Sequence, residues 1–193
     1  MTLPNKLSIL RIILTFVIMG CLFLPGLPAK ILSFALFALA SLTDWWDGYL
    51  ARRSNQITPL GMLLDPIADK VLVLGLLLAF VQMGLVPAWM VLVIVIRELG
   101  ITGVRLYAVR RRIVIAAAKE GKQKMVVQIL TIVLVFALLI LREWFGGPEG
   151  WRYEPLMRRL ILTGMWVTML LTLWSGATFF WRNRTLLTHG PSR

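Results

Sequence analysis

Residues 44–69 read D-W-W-D-G-Y-L-A-R-R-S-N-Q-I-T-P-L-G-M-L-L-D-P-I-A-D, which places four aspartates in an otherwise apolar part of the chain. The flanking segments 31–42 and 71–80 have the composition of helices embedded in lipid. A carboxylate at the centre of a membrane helix costs about 2.5–3.5 kcal/mol, so ionisable groups there usually have a function. This stretch therefore predicts both the kind of fold and the position of a functional site.

The spacing of the aspartates indicates how they are arranged. Asp44 and Asp47 are three residues apart, and Asp65 and Asp69 are four residues apart. Residues at these spacings share one face of a helix. Two helices that each present a pair of carboxylates can hold divalent cations through oxygen ligands. We therefore predict that all four aspartates bind two Mg²⁺ or Mn²⁺ ions, which would compensate their mutual repulsion.

A site of this kind is suited to chemistry at a diphosphate. Paired metal ions stabilise the attacking and leaving oxygens of an in-line displacement at phosphorus. Arg52 would be a further clamp on the phosphate oxygens. The reaction also needs a base close to the attacking hydroxyl, and Asp69, the last carboxylate, is the candidate.

The composition extends the membrane assignment to the whole chain. The 193 residues are 59% hydrophobic and their mean hydropathy is +0.80, which excludes an ordinary soluble globule. About 20 mainly apolar residues are needed to cross the hydrocarbon core. We predict an all-α integral membrane protein that forms a single domain over residues 1–193. Its six transmembrane helices are expected at residues 7–24, 29–50, 66–83, 88–108, 122–142 and 157–181.

The basic residues indicate the orientation in the membrane. The net charge of +12 comes from 21 Lys and Arg against nine Asp and Glu. With six spans, Arg97 lies inside a span, and the side opposite the N-terminus carries only Lys30, Arg142, Arg152, Arg158 and Arg159. The excess of Lys and Arg on the N-terminal side predicts that both termini and the acidic motif face the cytoplasm. Since topology accounts for the charge, we expect no nucleic-acid partner.

The acidic motif matches a known pattern at every position: Asp44-x2-Asp47-Gly48-x2-Ala51-Arg52-x8-Gly61-x3-Asp65-x3-Asp69. It resembles the signature of the CDP-alcohol phosphotransferase family. The opening stretch 4–11 resembles the N-terminal pattern of that family. Arg97-Glu98-Leu99 and the stretch 121–124 resemble its branch of bacterial phosphatidylglycerophosphate synthases.

The resemblance implies a homodimer in the bacterial cytoplasmic membrane that transfers a phosphatidyl group from CDP-diacylglycerol to an alcohol and releases CMP. By position in the motif, Asp44, Asp47 and Asp65 look like ligands shared between two metal ions. Asp69 looks like the remaining ligand and the general base. The residues expected to contact the CDP-diacylglycerol donor are Gly48, Arg52, Thr58 and, in the opening stretch, Asn5.

A basic cluster between spans four and five bears on the acceptor alcohol. Arg105, Lys122 and Lys124 lie at the cytoplasmic ends of neighbouring spans and are predicted to converge on one phosphate through charge-assisted hydrogen bonds. Glycerol 3-phosphate carries such a phosphate, and so do inositol phosphate and phosphatidylglycerol. The branch resemblance favours glycerol 3-phosphate. Arg110, Arg111 and Arg112 are expected instead to anchor the chain at anionic lipid.

Several polar residues within spans are predicted to have other partners. Arg97 should face the interior of the bundle, where it pairs with a carboxylate of another helix or lines a polar cavity. Both a structural ion pair and a contact with substrate remain open for it. Thr163, Thr168, Thr172 and Ser175 in the last span are expected to bond to backbone carbonyls.

The sequence also fits two other functions. Within the family, the acceptor would be inositol phosphate, serine or phosphatidylglycerol. In a different class, the acidic residues would line the path of a divalent-cation transporter, which would show flux without any nucleotide.

Overall fold

The computed structural model describes residues 3–54, 61–110, 119–146 and 154–184. Within these ranges, the side chains of residues 3–6, 44–54, 61–66, 69, 109–110 and 119–120 are not described. The described residues form six α-helices: α1 (Leu3–Phe23), α2 (Leu27–Ser54), α3 (Gly61–Gln82), α4 (Ala88–Arg110), α5 (Lys119–Phe145) and α6 (Glu154–Arg182). Each predicted span coincides with one of them, so the all-α class is confirmed.

Two of these helices meet the length and composition needed to cross a membrane. They are Gly121–Phe145 of α5 and Glu154–Arg182 of α6, judged on the described residues alone. Shorter apolar stretches run over Leu7–Phe23, Leu27–Thr43 and Lys70–Gln82. Large apolar side chains also face outward, including Phe16, Trp144, Trp174 and Trp181, each at least 66% exposed. These features support the prediction of a membrane protein.

The centre of the bundle is apolar and aromatic. Phe136 of α5 is fully buried. Its ring lies 5.6 Å from the rings of Phe34 and Phe37 on α2 and 5.9 Å from that of Phe80 on α3. Aromatic pairs at such distances add stabilisation beyond the area that they bury. Phe136 thus joins three helices.

The connection between α3 and α4 is a short turn with a glycine at its centre. Gly84 has a φ of 71°, a left-handed conformation that glycine adopts without a steric penalty. Leu85 N donates to Phe80 O at 3.0 Å, and Gly84 N donates to Val81 O at 2.9 Å. This pair of hydrogen bonds is the Schellman motif that ends many helices. The turn sends α4 back along the bundle, so the end of α4 returns toward the start of α3.

Candidate functional site

The predicted donor-site residues lie on the first three helices. Asp44, Asp47, Gly48 and Arg52 are in the second half of α2, whereas Asp65 and Asp69 are in the first half of α3; Asn5 is in the first turns of α1. The side chains of these residues lie outside the described set, and Thr58 lies outside the described residues altogether. The backbone therefore gives each acidic pair its own helix, as the spacing predicts.

The metal site itself remains a prediction. Among the side chains that the structure describes, no three His, Cys, Asp or Glu residues come together as metal ligands. The four aspartates fall outside that set. The finding therefore applies to the rest of the bundle, where the described side chains form no other metal site.

The three residues predicted to bind the acceptor phosphate do meet at one place. Arg105 of α4 and Lys122 and Lys124 of α5 line a single cavity of about 250 Å³. Arg105 and Lys122 are exposed, whereas Lys124 is buried. The guanidinium of Arg105 also lies 5.6 Å from the centre of the Phe179 ring of α6, a cation–π distance. Residues from two helices thus bring positive charge to one cavity.

A glutamate lies among the basic residues of this cavity, which we call the cationic cavity. Lys70 Nζ of α3 donates to Glu98 Oε2 at 2.7 Å, and Arg97 Nη1 donates to Glu98 Oε1 at 2.7 Å. Lys124 Nζ of α5 donates to the same Oε1. The side chain of Glu98 is 7% exposed. One buried carboxylate therefore holds three cations that come from three helices.

The structure corrects the prediction for Arg97 in one respect. Its side chain is 11% exposed and lines the cavity, as expected. Its ion-pair partner, however, is Glu98 and not a carboxylate of another helix, so that prediction was wrong. Adjacent helical residues point about 100° apart, but the long arginine side chain bends back to the carboxylate that Lys70 and Lys124 also approach.

The polar groups of α6 also differ from expectation. Ser175 Oγ accepts a hydrogen bond from Arg97 Nη2 at 2.6 Å, and Thr168 Oγ1 shares one with Thr131 Oγ1 of α5 at 2.8 Å. Thr172 Oγ1 is buried without a hydrogen-bond partner among the described residues. The expectation of backbone partners is wrong for Ser175 and Thr168, because α4 and α5 present side-chain groups there. It is also wrong for Thr172, whose buried hydroxyl meets no such carbonyl among the described residues.

Two residues of the cavity were missed from the sequence. Lys70 directly follows Asp69 and therefore adjoins the acidic motif, but its charge is already accounted for by the excess of basic residues on the N-terminal side. Glu98 enters the sequence prediction only as part of the stretch Arg97-Glu98-Leu99 that carries the family resemblance. A signal was present, since an acid and a base deep in one predicted span each need a partner. The sequence did not show that a single carboxylate serves three bases.

Comparison with known proteins places the chain among enzymes of one type. The sequence model of the CDP-alcohol phosphatidyltransferase family matches residues 1–180. A Bacillus subtilis (strain 168) relative named CDP-diacylglycerol–glycerol-3-phosphate 3-phosphatidyltransferase is 37% identical over 94% of this chain and 94% of its own. A Rickettsia felis relative of the same name is 33% identical over 92% of this chain and 93% of its own. A probable phosphatidylglycerophosphate synthase of Mycobacterium tuberculosis is 42% identical over 67% of this chain and 63% of its own.

Proposed function

Because the chain belongs to the CDP-alcohol phosphatidyltransferase family, we propose that it transfers the phosphatidyl group of CDP-diacylglycerol to glycerol 3-phosphate. The products would be phosphatidylglycerol phosphate and CMP. One observation carries this proposal. The Bacillus subtilis relative, which is named CDP-diacylglycerol–glycerol-3-phosphate 3-phosphatidyltransferase, is similar to this chain over 94% of both chains. The cationic cavity supports the choice of a phosphorylated acceptor.

The donor would bind at the acidic motif. Gly48 and Arg52 of α2, together with Thr58 and Asn5, contact the CDP part in this proposal. The donor set of Asp44, Asp47, Asp65 and Asp69 consists only of carboxylate oxygens, which suits Mg²⁺ or Mn²⁺. Such ions, when bound, supply positive charge that stabilises the diphosphate and the departing CMP.

Asp69 is the proposed general base. Its carboxylate accepts the proton of the acceptor hydroxyl, and the freed oxygen forms a bond to the β-phosphorus of CDP-diacylglycerol. The bond from that phosphorus to the bridging oxygen breaks, and CMP leaves with the electron pair. Lys70 follows Asp69 in α3 and lines the cationic cavity, so the base and the acceptor site are neighbours along one helix.

The acceptor would be held by its phosphate. Arg105, Lys122 and Lys124 present guanidinium and ammonium donors to the cavity. Charge-assisted hydrogen bonds from such donors are roughly twice as strong as neutral ones. An acceptor without a phosphate, such as serine, would leave these donors unused.

The proposal includes the setting of the enzyme. The chain would form a single domain of six transmembrane helices in the bacterial cytoplasmic membrane and act as a homodimer. Both termini and the active site would face the cytoplasm, where the excess of basic residues lies. The acyl chains of the donor would remain in the lipid.

The substrate assignment is tested by measuring CMP release from purified protein. The assay supplies CDP-diacylglycerol with glycerol 3-phosphate, inositol phosphate, serine or phosphatidylglycerol, each with and without Mg²⁺. We expect CMP only with glycerol 3-phosphate and Mg²⁺. Turnover with another acceptor would reassign the substrate within the family. Cation flux in liposomes without nucleotide, and no CMP release, would favour a transporter.

The role of Asp69 is tested with Asp69→Asn, which keeps the size and polarity of the side chain. Removing a general base typically lowers kcat by about 10²–10⁴-fold. We expect this loss while much of the Mn²⁺ binding, measured by calorimetry, is kept. Normal turnover in the variant would exclude Asp69 as the base.

A further inference from the structure

The cationic cavity contains a carboxylate that does not suit a simple anion site. Glu98 of α4 is buried, and both of its oxygens accept hydrogen bonds from cations. Among the described residues that line the cavity, it is the only acidic one. A negative group beside a phosphate site repels the phosphate. The presence of Glu98 in this cavity therefore needs another explanation.

Among the described side chains that line the cavity, the charges around Glu98 do not cancel. Lys70, Arg97 and Lys124 bring three positive charges to one negative charge, and Arg105 and Lys122 add two more at the cavity wall. Burying uncompensated charge costs free energy, so a buried ion pair alone gives little reason for this excess. The excess leaves positive charge available for an anion of about two negative charges, such as a phosphate monoester.

Glu98 also determines where its cations can lie. Lysine carries its ammonium on a flexible four-carbon stem, and like charges at close range repel each other. The shared carboxylate holds Lys70 from α3 and Lys124 from α5 against this repulsion. Both ammonium groups lie in the cavity wall with Glu98 between them.

Arg97 is held from a second side as well. Its Nη2 donates to Ser175 Oγ of α6 at 2.6 Å. A Cβ added at Gly176 would come within 3.1 Å of Arg97 Cγ, so the glycine leaves the space through which the side chain passes. Arg97 Nε has no hydrogen-bond partner among the described residues. The arginine is thus oriented by Glu98 and Ser175, while its Nε–H meets no acceptor in the described part of the chain.

We propose that Glu98 is a positioning residue that gathers Lys70, Arg97 and Lys124 into one phosphate-binding arrangement for the acceptor. The proposal rests on the function proposed above, since it takes glycerol 3-phosphate as the acceptor. Glu98 itself does not contact the phosphate. It holds the donors at the spacing that a phosphate requires and keeps them from moving apart.

The first test compares the kinetics of Glu98→Gln with those of Glu154→Gln. The second variant makes the same chemical change at an exposed glutamate in the first turn of α6. For Glu98→Gln we expect the KM for glycerol 3-phosphate to rise about tenfold or more, the effect of losing well-oriented charge-assisted hydrogen bonds. The KM for CDP-diacylglycerol should stay within about twofold, because the change removes only acceptor binding. Glu154→Gln should leave both constants unchanged.

A purely structural role for Glu98 predicts a different result for a double variant. If the carboxylate only offsets buried positive charge, removing one cation with it should restore activity. The double variant Glu98→Gln/Lys70→Gln has the same net charge as the native cluster. We expect its thermal stability in detergent to recover while the KM for glycerol 3-phosphate stays high. Recovery of a native KM in this variant would overturn the proposal.

Glu98→Asp keeps the test decisive if Glu98→Gln does not fold. It keeps the charge but draws the carboxylate back by one methylene, so we again expect a raised KM for glycerol 3-phosphate alone. A native KM in Glu98→Asp would overturn the proposal. The native protein is assayed alongside: if it releases no CMP with glycerol 3-phosphate, the proposed function fails, whereas native turnover with unaffected Glu98 variants removes only the role of Glu98.

Discussion

Lys30 shows how a buried basic residue is accommodated at the start of α2. From the sequence it is one of the few basic residues on the side opposite the N-terminus. In the structure it is 5% exposed, and its Nζ donates to Leu22 O at 2.6 Å and Leu24 O at 2.8 Å. The last carbonyls of a helix have no partner within the helix, and a lysine can satisfy them. Lys30 therefore caps the end of α1.

Lys30→Met tests this cap. Methionine keeps the length and apolar stem of the side chain but cannot donate a hydrogen bond. Leaving buried acceptors without a donor costs about 1–3 kcal/mol each. For a chain of this size, we expect the melting temperature in detergent to fall by roughly 2–4 °C for each kcal/mol lost.

The control for this prediction is Arg159→Met, which removes an exposed basic residue near the start of α6. A surface change of this kind usually alters stability by less than about 0.5 kcal/mol. Equal melting temperatures for Lys30→Met and Arg159→Met would contradict the capping role.

At the scale of the helices, close approach depends on small residues. A Cβ added at Gly75 of α3 would lie 2.8 Å from Thr15 Cγ2 and 3.4 Å from Met19 Sδ of α1. In a membrane, no hydrophobic driving force brings helices together, so their association depends on close packing. Small residues allow the two backbones to approach each other closely. In the same way, Gly164 of α6 lies against Thr131 of α5. Each of these two glycines thus allows a close approach between two helices.

Gly75→Ala should weaken the pairing of α1 and α3. Thr15 Oγ1 donates to Arg11 O at 2.9 Å, so its methyl group cannot turn away without losing that bond. Overpacking of this kind costs about 1–3 kcal/mol. We expect a lower melting temperature, and partial recovery in Gly75→Ala/Thr15→Ser, which removes the obstructing methyl.

Gly20→Ala is the matched control on α1, since a Cβ at Gly20 meets no atom of a packed neighbour within 4 Å in the part of the chain that the structure describes. There the same substitution should be neutral or slightly stabilising, because alanine favours helix over glycine by up to about 1 kcal/mol. A similar loss of stability in both variants would show that contact at Gly75 is not the cause.

At the scale of the whole molecule, the two ends of the bundle differ in chemistry. Lys70, Glu98, Lys124 and Ser175 meet near one end. The opposite end has an apolar groove lined by residues such as Leu138, Leu141 and Leu160, with Arg142 as its basic residue. The proposed topology places the cationic end at the cytoplasmic surface, where a charged, water-soluble acceptor can enter.

Labelling with a membrane-impermeant maleimide tests that topology. The single native cysteine, Cys21, is first replaced by serine, and one cysteine is then introduced as Glu154→Cys or as Ser192→Cys. In right-side-out vesicles we expect label on Glu154→Cys only, and on Ser192→Cys after permeabilisation. The reverse pattern would invert the orientation, and label on both would contradict an odd number of spans between them.

The sequence alone determined the helical class, the approximate ends of six helices and the family. These features are local: a run of about 20 apolar residues predicts a helix wherever it packs, and the motif from Asp44 to Asp69 is defined by spacing. It also selected Arg105, Lys122 and Lys124, which the fold brings to one cavity.

Only the tertiary structure decided the partners of the buried charges. Glu98 joins Lys70 and Lys124 across sequence separations of 28 and 26 residues, and Ser175 reaches Arg97 across 78. The residue periodicity of a helix predicts which face a side chain occupies, but the neighbour on that face depends on how the helices pack. Long side chains can also bend along their own helix, as that of Arg97 does. The direction in which this side chain leaves its helix therefore did not identify its partner.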